Sequence, residues 1–134
     1  DCIVNKEIVS SIEHGLMLLV GFTHTDSEKE VEKMALKIAK LRIFEDSSGK
    51  MNLSVKDAGG SILSISQFTL YANSKDGNRP SFVQAMNPKI AFELYEKFNQ
   101  KIKSLGIPIY SGIFGADMKL DIICDGPVTI HLEY

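Results

Sequence analysis

The sequence has few cysteines, and this scarcity excludes several kinds of site. Cys2 and Cys124 are the two cysteines among 134 residues, so the chain has no disulfide framework. No two candidate ligands share the close spacing of a zinc site, and we expect no metal. This cysteine usage fits a reducing compartment, and we expect the protein to be cytoplasmic. Cys124 ends a strand-like run and is predicted to be a buried, small apolar residue.

Long apolar runs are also absent. The longest, residues 16–22, has the length of a strand and is far shorter than the roughly 20 residues that cross a bilayer. We find no signal-peptide pattern and expect no membrane partner.

Neither sign of charge is in excess. The 15 Lys and Arg residues are balanced by 17 Asp and Glu residues, and the net charge at pH 7 is -2. Proteins that grip long stretches of nucleic acid usually carry a basic face. This protein therefore either binds no nucleic acid or touches only a short piece of it.

The hydrophobic pattern predicts several strands. Strand-like runs occupy residues 2–9, 16–22 and 61–72, and the second is apolar throughout, as in a strand buried on both faces. A polar connection covers residues 45–60. Three more strand-like pieces close the chain, at residues 107–112, 117–124 and 127–134.

Two helices are predicted between these strands. The first follows a candidate capping box, either Ser27 with Glu30 or Thr25 with Glu28. The second begins at the predicted N-cap Asn87 and stops at Gly106. The order β, β, α, β, α, β, β, β predicts an α/β fold, a single domain over residues 1–134 with two helices covering a sheet.

Polar residues interrupt the strand-like run "SILSISQFTLYA", residues 61–72. On a strand, Ser66 and Phe68 would face one side, and Gln67 and Thr69 the other. These residues either line a site or are strand-end residues bonded to neighbouring backbone. Spacing alone favours the second interpretation, because a hydroxyl without an identified base is a poor nucleophile.

A long loop, residues 73–88, is the next candidate. It places Lys75 and Arg79 close to Asn78 and Phe82. Long loops in compact domains are often functional. The cations would hold a phosphate while Phe82 stacks on a base. A solvated loop with one anchoring aromatic is an equally good interpretation.

Two short motifs near the C-terminus each have two interpretations. Gly126-Pro127 is either a turn that breaks a ladder, favoured on its own, or a rigid pocket feature with a cis bond. Phe114 and Met118 lie around Gly115 and either wall a pocket or line the core at a turn, which is the simpler interpretation.

Several motifs together point to one family. The stretches LRIFED, GKMNLS, SQFTLYA, GNRPSF, FGADMK and DGPVTI occur in this order along most of the chain. Through them the sequence resembles the D-aminoacyl-tRNA deacylases, chiral proofreading enzymes, from about Ile3 to Tyr134. The family's two signatures are SQFTL, here residues 66–70, and GPVT, here residues 126–129. Together with the flanking motifs they are highly specific.

The resemblance implies a fold and an assembly. It implies mixed, β-barrel-like sheet layers with two helices packed on one side, in a homodimer with active sites at the interface. Two departures stand out. The family's first N-terminal strand, which would precede Cys2, is missing, and Cys124 stands where the family usually has Asn.

The resemblance also implies an activity. Members hydrolyse the ester that joins a D-amino acid, or glycine, to the terminal ribose of tRNA, without a cofactor. The backbone N–H groups of Phe68 and Thr69 would form the oxyanion hole, with Ser66 and Gln67 positioning the substrate or the backbone. We do not expect Thr69 to be the nucleophile, since the ribose 2′-hydroxyl of the substrate assists water in this family.

Further roles follow from the same resemblance. Gly126-Pro127 of the partner subunit, with a cis bond, would reject the side chain of an L-amino acid. Phe114 and Met118 would hold the terminal adenosine, with Tyr71 a weaker candidate. Lys75 and Arg79 would supply the few cations that the aminoacylated 3′ end of tRNA requires.

Three rival functions remain. Eukaryotic relatives have been linked to DNA unwinding elements, so a non-catalytic nucleic-acid-associated protein is the main alternative. An editing module of threonyl-tRNA synthetase would lack both signatures. A related deacylase with relaxed chirality differs at the start of SQFT.

Overall fold

The computed structural model describes residues 1–134, with two α-helices and eight strands. In chain order the elements are β1 (Cys2–Val4), β2 (Glu7–Ser10), β3 (Gly15–Val20), α1 (Glu28–Lys40), β4 (Phe44–Glu45), β5 (Met51–Leu53), β6 (Ser61–Ser66), a 3-10 helix (Phe68–Tyr71), α2 (Pro88–Ser104), β7 (Ile109–Ser111) and β8 (Lys119–Leu120). The predicted mixed α/β fold with two helices is confirmed.

A parallel sheet in the order β3–β6–β7 lies at the centre of the fold. Leu18 pairs with Ser64 across β3 and β6, and Leu63 pairs with Tyr110 across β6 and β7. Because the three strands run in one direction, their carboxyl ends meet at the same edge. Ligand sites of α/β sheets commonly form at such an edge.

The central strand β6 is buried on both faces. Ile62 packs in the cluster that contains the helices, whereas Leu63 and Ile65 pack with Cys2 of β1. Strands of parallel sheets are typically apolar on both sides for this reason. The layers are therefore the helices, the parallel sheet, and the antiparallel sheet β2–β1–β8.

The two helices begin and end at the predicted signals. The Glu30 carboxylate accepts hydrogen bonds from the N–H and the hydroxyl of Ser27, at 2.7 and 2.5 Å, which selects this capping box. These bonds lower the pKa of Glu30. The Asn87 side chain accepts from the N–H of Lys89 at 2.9 Å, and Gly106 follows α2 with φ +82°. No helix has the length and apolar character that crossing a membrane requires.

The prediction of one strand over residues 2–9 is wrong, because this segment is the hairpin β1–β2. Asn5 and Lys6 form its turn, with φ of 49° and 67°. Two consecutive positive φ values are typical of the tight turns whose twist matches that of a hairpin.

The polar connection over residues 45–60 also contains a strand that we did not predict. β4 and β5 form a short hairpin. The Asp46 carboxylate accepts from the N–H groups of Ser48 and Lys50 at 2.8 and 3.1 Å, and these bonds contribute to the lowered pKa of Asp46. Local side-chain bonds of this kind close the turn.

The C-terminal strands are largely absent, which corrects the predictions for residues 117–124 and 127–134. Only Lys119–Leu120 is a strand, and it pairs with β1. Residues 122–134 pair with no strand of the chain and form no regular structure. Cys124, predicted to be buried, is exposed, because it lies in the part of this segment that joins no sheet.

The sheets do not close into a barrel. They form two three-stranded sheets and one two-stranded sheet, so the prediction of a barrel-like closure is corrected to open layers. β3 was predicted to be buried on both faces, but Leu19 is 43% exposed. One side of β3 is therefore open within a single chain.

Candidate active site

The strand β6 ends at Ser66, six residues earlier than predicted. The N–H of Gln67 donates to Val20 O at 2.7 Å, and the chain then turns into the 3-10 helix. The N–H groups of Leu70 and Ala72 donate to the carbonyls of Gln67 and Thr69. These local bonds replace a sheet ladder. The predicted alternation of Ser66 and Phe68 against Gln67 and Thr69 does not apply to a helical turn.

Two backbone donors at this turn have no partner. The N–H groups of Phe68 and Thr69 are donors in none of the backbone hydrogen bonds outside the helices and strands. The first amides of any helix lack intrahelical acceptors. Here the two adjacent donors lie two and three residues after Ser66, at the carboxyl edge of the parallel sheet.

The hydroxyl of Thr69 is engaged by an amide. Gln67 Nε2 donates to Thr69 Oγ1 at 2.5 Å. An amide cannot take the proton of a hydroxyl, so Gln67 cannot activate Thr69 as a nucleophile.

Gly21 allows this turn to pack against the end of β3. A Cβ at Gly21 would lie 2.8 Å from Gln67 O and 3.2 Å from Leu70 Cβ. Sequence analysis did not identify Gly21 as part of the site. Its only signal was a glycine inside an apolar strand-like run, which often marks a close backbone approach.

The long loop is fastened to the same edge. Thr23 Oγ1 donates to Gln84 O at 2.6 Å, and His24 Nε2 lies 2.6 Å from Val83 O. The rings of Phe82 and Phe68 meet edge to face, with centroids 5.2 Å apart. The loop therefore joins the turn that follows β6. Thr23 and His24 were not predicted to support a site.

The candidate phosphate-binding residues lie at the tip of this loop. Asn73 and Ser81 exchange backbone hydrogen bonds of 2.8 and 2.9 Å, which close the tip. Lys75 and Arg79 are exposed between them.

Phe114 and Met118 pack in different places. Phe114 follows β7 and packs against Phe92 and Tyr95, with centroids 5.2 and 5.8 Å away. It lines an open groove together with the first residues of α2 and with Phe92. Met118 packs in the cluster of Cys2, on the other side of the parallel sheet. Within one chain the two residues do not face a common pocket.

Gly126 and Pro127 lie in the exposed C-terminal segment, and the bond between them is cis. None of the backbone hydrogen bonds outside the helices and strands involves residues 122–130. The structure of one chain therefore does not join this motif to Ser66, Gln67, Phe68 and Thr69.

Tyr71, the last residue of the 3-10 helix, is half-buried. Burial, with smaller contributions from the charges of Asp26 and Glu133, raises the pKa of its phenol. No group of three or more His, Cys, Asp or Glu side chains is arranged to hold a metal ion.

Comparison with known proteins identifies the family. A family model described as D-Tyr-tRNA(Tyr) deacylase matches residues 1–133. The chain belongs to this deacylase family. The prediction made from its motifs is thereby confirmed at the level of the family, and with it the prediction of an ester hydrolase.

Bacterial relatives of the deacylase family match over nearly the whole chain. The D-aminoacyl-tRNA deacylase of Brevibacillus brevis is 57% identical over 130 residues, which are 97% of this chain and 90% of the relative. The D-aminoacyl-tRNA deacylase of Chloroherpeton thalassium is 52% identical over 132 residues, which are 98% of this chain and 87% of the relative.

Two solved structures resemble the fold. One, described as c-Myc DNA Unwinding Element Binding Protein, has a TM-score of 0.93 and 42% identity, covering 99% of this chain and 91% of that chain. The other, described as a probable eukaryotic D-amino acid tRNA deacylase, has a TM-score of 0.71 and 17% identity, covering 88% and 84%. At that identity the second structure supports the fold alone.

In this deacylase, a buried tyrosine fixes the strand that leads to the turn. The Tyr95 hydroxyl donates to Ser64 O at 2.6 Å, and the N–H of Gly112 donates to the same oxygen at 3.2 Å. Burial raises the pKa of Tyr95, so the phenol keeps its proton and remains a donor. Tyr95 thus connects α2 to β6 two residues before Ser66.

We predict that Tyr95→Phe lowers the free energy of unfolding by about 1 kcal/mol, because Ser64 O loses one of two donors and keeps the other. Urea denaturation measures the change. The control is Tyr110→Phe at an exposed site on β7, with an expected change within about 0.5 kcal/mol. Equal effects of the two substitutions would contradict the role given to Tyr95.

Proposed function

We propose that this protein hydrolyses the ester bond of D-aminoacyl-tRNA and releases the free D-amino acid and tRNA. The observation that carries the proposal is the pair of unpartnered N–H groups, of Phe68 and Thr69, at the carboxyl edge of the parallel sheet. Membership of the deacylase family supports the choice of substrate. We extend the proposal to glycyl-tRNA mischarged on tRNA-Ala and to action in the cytoplasm, where aminoacyl-tRNAs are used.

In the proposed reaction, water adds to the ester carbonyl carbon and the carbonyl oxygen becomes negatively charged. The N–H groups of Phe68 and Thr69 donate to this oxygen. The bond from the carbonyl carbon to the ribose oxygen then breaks, and the ribose oxygen receives the proton that water gives up. The neighbouring ribose hydroxyl assists the water, so orientation supplies most of the catalysis.

The side chains of the site have positioning roles in this proposal. Ser66 and Gln67 hold the turn and the substrate, and Thr69 Oγ1 stays engaged with Gln67 Nε2. Phe114 and Met118 receive the terminal adenosine. Lys75 and Arg79 meet the phosphates of the acceptor end.

The open groove beside Phe114 supports an adenosine position there, because an exposed aromatic face can stack on a base. Met118 packs apart from Phe114 within one chain. The proposed role of Met118 therefore requires that dimer assembly place Met118 next to the adenosine.

We propose that a second copy of the chain completes the site with its Gly126-Pro127 motif. The segment that carries the motif supports this, since Ile123 is 97% exposed and the backbone of residues 122–130 makes no bonds in one chain. Backbone carbonyls of the motif would lie close to the substrate α-carbon and leave no room for an L side chain. A D side chain would point away.

The activity test is single-turnover hydrolysis of D-Tyr-tRNA and L-Tyr-tRNA, with Thr69→Ala alongside. We expect rapid loss of the D ester, persistence of the L ester, and a rate for Thr69→Ala within about tenfold of the unaltered protein, since positioning groups typically matter less than nucleophiles. Loss of activity in Thr69→Ala by several orders of magnitude would make Thr69 the nucleophile. Survival of both esters would refute the proposed function.

The assembly test is light scattering of the purified protein, with an expected mass of about twice 14.8 kDa. Ile123→Asp should produce monomers and abolish cleavage of the D ester, because it places a charge in the proposed interface. Met51→Asp, at another exposed apolar side chain, is the control and should leave the mass unchanged. An active monomer would contradict the shared site.

A nucleic-acid-associated protein is the second candidate function. It is favoured by the 42% identical structure described as c-Myc DNA Unwinding Element Binding Protein. The net charge of -2 opposes it, since tight binding to duplex DNA usually needs a basic face. Salt-sensitive binding of a DNA duplex by a protein that leaves both esters intact would favour this candidate.

A further inference from the structure

Two exposed aromatic rings lie side by side at the candidate active site. Phe68 is 57% exposed and Phe82 is 41% exposed, and neither belongs to a core cluster. Their rings meet edge to face at 71°, an arrangement that leaves ring faces open to a further ring. We call these two side chains the aromatic platform.

The platform is held in place from both sides. Phe68 is the first residue of the 3-10 helix, one position after Gln67. Phe82 belongs to the segment that Thr23 and His24 fasten through the carbonyls of Gln84 and Val83. A platform fixed in advance loses little conformational freedom when a ligand stacks on it.

Two cations belong to the same loop as Phe82. The loop tip closed by Asn73 and Ser81 presents Lys75 and Arg79, and Ser81 directly precedes Phe82. The carboxylate of Asp76, which lies between the two cations in sequence, accepts a hydrogen bond from Asn73 Nδ2 at 3.0 Å. Aromatic rings next to cations are the usual combination for binding single-stranded nucleic acid.

We propose that the aromatic platform stacks on the nucleobase that precedes the terminal adenosine of the acceptor end, while Lys75 and Arg79 contact its phosphates. The proposal rests on the proposed function, since it extends the same site by one nucleotide. Phe68 connects the ester site to the aromatic platform. Its N–H donates to the ester oxygen in the proposed reaction, and its ring is one of the two rings of the platform. An aromatic ring can stack on any base, and the bases of a single-stranded end are free to be stacked in this way.

The test compares a long and a short substrate. D-Tyr-tRNA carries the preceding nucleotide, whereas D-tyrosyl-adenosine does not. Phe82→Leu should lower kcat/KM for D-Tyr-tRNA by about 5- to 100-fold, the range expected from loss of one stacked base, and leave D-tyrosyl-adenosine unaffected. Phe82→Tyr should restore the rate on tRNA. Val83→Ala, at the neighbouring exposed residue, is the control and should change neither substrate.

Two kinetic outcomes would overturn the platform. One is an equal loss of kcat/KM on both substrates in Phe82→Leu, which would mean that Phe82 only supports the ester site. The other is no loss on either substrate. Circular dichroism of each variant ensures that the comparison is made between folded proteins.

A binding measurement tests the aromatic platform independently of ester hydrolysis. The chain has no tryptophan, so Phe82→Trp gives a single fluorescent reporter that keeps an aromatic ring on the platform. The trinucleotide CCA should quench its fluorescence, and adenosine alone should not. Absence of quenching by CCA overturns the platform even if D esters are hydrolysed, and quenching supports it even if they are not.

Discussion

The burial of β6 on both faces is the constraint on which the rest of the structure depends. Ile62 packs under the helices while Leu63 and Ile65 pack over the antiparallel sheet, so the strand can neither shift its register nor rotate. Its parallel neighbours β3 and β7 are thereby aligned with it, and their carboxyl ends meet at one edge. The bond from Tyr95 to Ser64 fixes this strand close to that edge.

The site at this edge is built mainly from backbone. The turn after Ser66 leaves the N–H groups of Phe68 and Thr69 without acceptors, and Gly21 allows the turn to lie against β3. Backbone donors held by a buried strand need no reorganisation when charge develops on a substrate oxygen. In the proposed reaction this explains why polar side chains cluster at Ser66, Gln67 and Thr69 although no base stands beside them.

Sequence patterns predicted the helices well because helices are stabilised locally. The capping box of Ser27 and Glu30 and the N-cap Asn87 operate within a few residues of their own positions. The family, too, could be identified from its motifs. The end of β6 was predicted too late, because apolar Phe68 and Leu70 continue a strand-like pattern that the local bonds of Gln67 and Thr69 override.

The strand predictions failed where pairing depends on residues that are far away in the sequence. The C-terminal segment has a strand-like sequence, yet within one chain only its short strand β8 pairs with another strand. Cys124 lies in this unpaired segment and is exposed. The contact between Phe68 and Phe82 joins a turn to a loop, and no local pattern in the sequence encodes it.

The central claim is that the N–H groups of Phe68 and Thr69 bind the substrate carbonyl. At 14.8 kDa per chain, the protein is suited to amide NMR. The measurement is a titration with a D-tyrosyl-adenosine analogue whose ester is replaced by an amide. We predict the largest downfield shifts at the amide protons of Phe68 and Thr69. Shifts confined to other parts of the protein, with these two amides unchanged at saturation, would contradict the account.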